Sequence, residues 1–114
     1  MRVAFLVVFF SSIAAADAVD TATQAMAARQ KMMQADATPA DVDAFLAFAA
    51  DDLVYEDPVV KMRIEGKAQI SDGMKAFLGA TRKAKIETIR RIAVADLVVL
   101  EEKVSFEAKD GERW

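Results

Sequence analysis

The chain has 114 residues, 54% hydrophobic and 29% charged, with a net charge of -3 and neither cysteine nor histidine. This length holds one domain, and the composition is that of a folded globular protein rather than a disordered one. The two missing residue types exclude disulfides, thiolate metal sites, the commonest ligand for zinc, copper or iron, and both Ser-His-Asp and Cys-His machinery. The basic residues are scattered among acids and give no concentrated cationic face, so nucleic acid is not an expected partner. Acid–base chemistry must fall to carboxylates, lysines or Tyr55, and no metal or cofactor is expected.

Taken in chain order, the first segment reads as a secretory signal. Arg2 supplies a positive start, Val3 to Phe10 form a compact apolar run, and Ala16-Asp17-Ala18 fits the small-x-small cleavage rule. The apolar run is too short to span a bilayer, which takes about 20 residues. Cleavage after Ala18 divides the chain into a signal at 1–18 and a domain at 19–114. The mature protein is then expected to be secreted or periplasmic, with no stable membrane anchor.

Residues 21–35 are rich in Ala, Met and Gln, which favour helix, with Ala22, Ala25, Met26, Met32 and Met33 as an apolar stripe. Asp36 to Asp41 break this helix and start another. Thr38 is placed to cap it, Pro39 suits its first turn, and Asp41 complements the dipole. Val42, Phe45, Leu46 and Ala49 then recur at helical spacing.

"LVYED" (residues 53–57) reads as a strand stopped by Pro58, with Leu53, Tyr55 and Asp57 on one face. "VKMRIEG" alternates Val60, Met62 and Ile64 against Lys61 and Arg63, and Gly66 makes a turn. Residues 67–81 form a helix with Ile70, Met74, Phe77 and Leu78 on one stripe, and Gly73 is explained there by close packing. The remainder is sheet. Val98, Leu100, Val104, Phe106 and Ala108 share one face of a long strand, and Glu102 is the odd residue among them. Asp110-Gly111 is a hairpin turn signal, after which only Glu112, Arg113 and Trp114 follow. A long strand whose partner is only begun implies either a piece of a larger domain or a sheet completed by another molecule.

The order helix, helix, strand ending in "EDP", helix, long antiparallel strands resembles the nuclear transport factor 2-like superfamily. This superfamily includes the SnoaL-like polyketide cyclases, ketosteroid isomerases and limonene-epoxide hydrolases. "FAADDLVYEDPVV" (48–60), "GKAQI" (66–70) and "VSFEAKDG" (104–111) carry the resemblance, which covers residues 22–114. It implies an α+β fold. A cone-shaped, curved antiparallel sheet packs on N-terminal helices, and the family's last strands have no counterpart here. It also implies a small hydrophobic molecule as ligand. Asp57 matches the carboxylate that is the general base in ketosteroid isomerases. An apolar pocket raises the pKa of such a group and makes it a better base. The match is incomplete. The first helix carries no tyrosine, and Lys103 and Ser105 stand where the epoxide hydrolases have arginine and aspartate. Lysine lacks the planar two-point grip of arginine.

The residues and the resemblance together name Asp57 as candidate base and Tyr55 as candidate donor, each against a plainer role. For Asp57 that role is an Asp-Pro turn, and for Tyr55 a core aromatic with a wet hydroxyl. Glu102, Val104, Phe106 and Phe45 are the candidate ligand-binding residues. Arg90, Arg91, Glu101 and Glu107 read as solvated surface. Three functions follow: a binder or isomerase-, cyclase- or hydrolase-type enzyme for a small hydrophobic molecule, a dimerisation module forming a homodimer, or an inactive fragment.

Overall fold

In a computed structural model, the backbone is described for residues 3–9, 15–94 and 97–114, and side chains for 18–94 and 97–114. The element order is β1 (Val3–Phe9), α1 (Ala15–Met32), α2 (Pro39–Leu46), β2 (Val54–Asp57), β3 (Met62–Glu65), α3 (Lys67–Ala76), β4 (Thr81–Val94) and β5 (Leu97–Ala108). The architecture is the expected α+β one, with antiparallel sheets beside helices. β1, β5 and β4 form one sheet in that order, and β2 pairs with β3 in a second. Of the segment read as a signal, residues 1–2 and 10–14 lie outside the described residues. Val3–Phe9 pair antiparallel with Leu97–Lys103, and the expected cleavage point after Ala18 falls in the first turns of α1.

α1 lies on the sheet because its apolar residues recur at helical spacing and are small. Ala18, Ala22, Ala25 and Met26 pack on Val98 and Leu100 of β5. A second core forms where α2 meets α3, around Val42, Leu46 and Ile70. Met32, Leu53, Ile64, Met74 and Leu78 pack against this second core, and Phe45 touches both. α2 starts where the sequence places it. The Asp41 carboxylate accepts the Thr38 backbone N–H at 2.8 Å and pairs with Lys31 at 3.1 Å. That amide bond first, and Lys31 second, hold the Asp41 carboxyl below its ordinary 3.8.

The C-terminal end of α1 is bonded to the free edge of β4. The Gln34 amide donates to the Ala84 carbonyl at 2.8 Å and accepts the Ala84 N–H at 3.2 Å. Gln30 Oε1 accepts the Ile86 N–H at 2.9 Å, and Thr81 Oγ1 donates to the Met33 carbonyl at 2.8 Å. Side chains thus stand in for a neighbouring strand and blunt an exposed edge.

Several expectations for the middle of the chain are corrected. Val60 belongs to the β2–β3 turn rather than to the strand, and both Val59 and Val60 are exposed. The hairpin is only partly covered: neither Val54 nor Tyr55 is buried, and Ile64 is its contact with the second core. α3 ends at Ala76, so Phe77 becomes its cap, turned to solvent rather than into the stripe. A Cβ at Gly73 would meet nothing within 4 Å, so close packing does not explain that glycine. Gly66, with φ +89, does need glycine's freedom at the turn before α3.

Asp110-Gly111 turns the chain as its sequence predicts, with Gly111 at φ +94 and Asp110 Oδ1 accepting the Glu112 N–H at 3.0 Å. Trp114 then exchanges backbone bonds of 3.0 and 2.9 Å with Phe106. Residues 106–108 face β4 on one side and 112–114 on the other. The return segment therefore lies on the same edge of β5 that β1 occupies farther along.

Candidate functional site

The alternation of β5 aims Val98, Leu100 and Glu102 at α1, as the apolar pattern predicts. Glu102 is fully buried. Its Oε2 accepts a 2.9 Å bond from Arg29 Nη1 of α1, and its Oε1 has no hydrogen-bond partner among the described residues. Burial pushes the carboxyl above its ordinary 4.5, and the Arg29 guanidinium pulls it part of the way back.

Beside it lies a wedge of about 670 Å³ between α1 and β4. Met26, Ala27, Ile86, Ile89 and Leu100 supply apolar lining, and Thr23, Gln30, Thr88, Arg90 and Arg91 supply polar groups. The wedge closes where Gln30 and Gln34 hold β4. Thr88 is the cross-strand neighbour of Glu102, and Gln30 follows Arg29, so the buried ion pair stands at this closed end. A smaller hollow of about 460 Å³ between α2 and α3 is rimmed by charges already paired, Lys67 with Asp51 and, close by, Lys75 with Asp43. The wedge is the better ligand site because it is the larger of the two and holds Arg91, which has no ion-pair partner among the described residues, whereas the charges of the hollow are already paired.

The other residues singled out from sequence sit elsewhere. Asp57 ends β2, and its Oδ1 accepts the Val59 and Val60 N–H groups at 2.9 and 3.3 Å, an Asp-Pro turn. Tyr55 lies on the same strand, across from Ile64, and is 39% exposed. Neither lines the wedge. Val104 and Phe106 follow Glu102 on β5 and are half-buried. Phe45 joins the two cores. Glu107, expected in open solvent, is mostly covered and gathers Arg82, Lys83 and Arg113 within 3.6 Å. Its carboxyl is lowered first by the Lys83 hydrogen bond.

Arg29, Gln30 and Gln34 were not among the expected site residues. The available signal was a lone arginine in an Ala/Met stripe, at helical spacing from Ala22, Ala25 and Met26. Arg91 was read as surface. Among the described residues no helix is long and apolar enough to cross a membrane, and no cluster of acids is placed to hold a metal.

A helical layer on an antiparallel sheet, with a buried acid near a wedge between helix and strand, defines an α+β domain of the SnoaL-like kind. The SnoaL-like domain family matches residues 30–114, and the chain belongs to that family. Its members typically bind small molecules, with isomerase or cyclase activity. No curated protein and no solved structure matches the chain.

Proposed function

We propose that this SnoaL-like domain binds a small hydrophobic molecule in the wedge between α1 and β4, with Glu102 as the acid–base group beside it. The observation that carries this reading is a fully buried carboxylate with one oxygen unpartnered among the described residues, set behind Thr88 and Leu100 of a groove of mixed apolar and polar lining. An unpaired buried oxygen is costly and persists where something uses it, whether a proton or a ligand hydrogen bond. Chemistry of isomerase, cyclase or hydrolase type needs a carboxyl poised toward neutrality, and burial poises Glu102.

Asp57 stays in its turn, and Tyr55 lies half-exposed beside Ile64 in its hairpin. Asp57→Asn keeps an acceptor for Val59 and Val60 and is expected to leave ligand binding unchanged. Methyl NMR tests the binding reading, with 1-decanol as probe. Shifts should concentrate at Met26, Ile86, Ile89 and Leu100, and their absence would overturn it. Carbon-detected titration of Glu102 tests the acid–base reading, and a midpoint at or below the ordinary 4.5 counts against it.

We also propose that residues 1–18 are a secretory signal, supported by Arg2, the apolar run and Ala16-Asp17-Ala18. The signal peptidase would meet the unfolded chain, before Ala18 enters the helix. N-terminal sequencing of the exported protein should then begin at Val19.

A further inference from the structure

We propose that the wedge selects an apolar molecule carrying one anionic head group, a monocarboxylate of the fatty-acid kind, and that Arg91 reads the head. This rests on the binding reading above and narrows its ligand class.

The observation is a β-bulge. β4 pairs with β5 as Glu87 with Lys103 and Thr88 with Glu102, then resumes as Arg90 with Glu101 and Arg91 with Leu100. Ile89 is the extra residue. Cross-strand partners share a face, so Arg91 lies on the side of Leu100, which packs under α1. Without the bulge, alternation from Ile86 and Thr88 would put Arg90 and Ile92 on that side. The bulge instead turns Ile92 outward, where it is 49% exposed, and sets Arg91 opposite Leu100, while Arg90, which also borders the wedge, is held by Glu101 at 3.0 Å. Burial of apolar surface favours the opposite arrangement. Bulges recur beside binding sites because they re-aim single side chains in this way.

Arg91 is also the one arginine among the described residues with neither an ion pair nor a hydrogen bond. Arg29, Arg63, Arg82, Arg90 and Arg113 all have acidic partners. An unpaired guanidinium beside Met26, Ile86, Ile89 and Leu100 matches a ligand with an apolar body and a planar two-oxygen head. The nearby Glu102 charge does not repel such a head strongly, because Arg29 offsets it at 2.9 Å.

The test compares decanoate with 1-decanol on the full chain by calorimetry and methyl NMR at low salt. The wild type should bind decanoate roughly three- to tenfold more tightly, a preference that added salt erodes. Arg91→Gln should lose the preference while keeping decanol affinity, and Arg91→Lys should keep part of it. Arg63→Gln, which removes a paired surface arginine, should change nothing. Equal binding of the two probes by the wild type, or a preference that survives Arg91→Gln, would overturn this inference and leave the binding reading standing. Binding of neither probe would overturn both. Matching amide spectra of Arg91→Gln and the wild type show that the variant is folded.

Discussion

Glu102 enters the core with one oxygen on Arg29 and the other without a hydrogen-bond partner among the described residues, so burial and a single charge-assisted bond oppose each other at this residue. Burial wins, and the carboxyl lies above its ordinary 4.5. A raised carboxyl favours the neutral form in the folded state. Its stabilising contribution is therefore fully present below the unfolded value and is lost as pH rises through the folded value. Arg29→Ala strips the buried charge of its partner and is expected to cost about 3–5 kcal/mol at neutral pH. The deficit should shrink on acidification, as Glu102 takes up a proton. Urea denaturation on either side of the ordinary carboxyl range measures this, and a deficit independent of pH would mean that water reaches Glu102. Asp41 behaves in the opposite sense. Its lowered carboxyl contributes stability above the ordinary 3.8 and loses it as pH falls through the folded value.

At the scale of elements, α3 and β4 each carry a feature that a substitution can isolate. Gly73 sits inside α3 with open space around its Cα and an ordinary helical backbone. Gly73→Ala should therefore stabilise the protein by about 0.5–1 kcal/mol, through reduced unfolded-chain entropy. Thermal denaturation would register the gain, and a loss would mean that α3 has an unseen neighbour. The outer edge of β4 depends on Gln30 and Gln34, whose amides take the place of a strand. Gln34→Ala is expected to cost about 1–3 kcal/mol, because it leaves part-buried backbone groups unpaired. Hydrogen exchange at Ala84 should quicken more than exchange in β5. Beyond Ile86 that support ends, and the Thr88–Arg90 bulge falls in this unsupported stretch.

For the whole molecule, the important edge is that of β5. Residues 112–114 cover it beside 106–108, and β1 covers it beside 97–103. The two segments run in the same direction along one line. Removal of residues 1–18, as the signal reading proposes, would leave those backbone groups of Leu97–Lys103 that face away from β4 without a ladder. An open edge of that length recruits another strand. A protein beginning at Val19 is therefore expected to form a dimer, and light scattering after size-exclusion chromatography distinguishes this from a monomer. Retention of β1 should keep the edge closed and the chain monomeric.

Local chemistry made much of this molecule legible in the sequence alone. Helical spacing of Ala22, Ala25 and Met26, the cap at Thr38 and Asp41, the stop at Pro58, the turn at Asp110-Gly111 and the inward row of Val98, Leu100 and Glu102 all act between residues near in sequence. The motifs around "EDP" carried the family as well. Only the tertiary structure decided the rest. It decided that Asp57 spends an oxygen on its own turn, that Arg29 reaches Glu102, that glutamines close β4, and that a bulge turns Arg91 toward the wedge. Each of these depends on register and on contacts between distant segments. A one-residue slip of a strand reverses every side chain beyond it, and alternation within β4 could not show where the slip occurs.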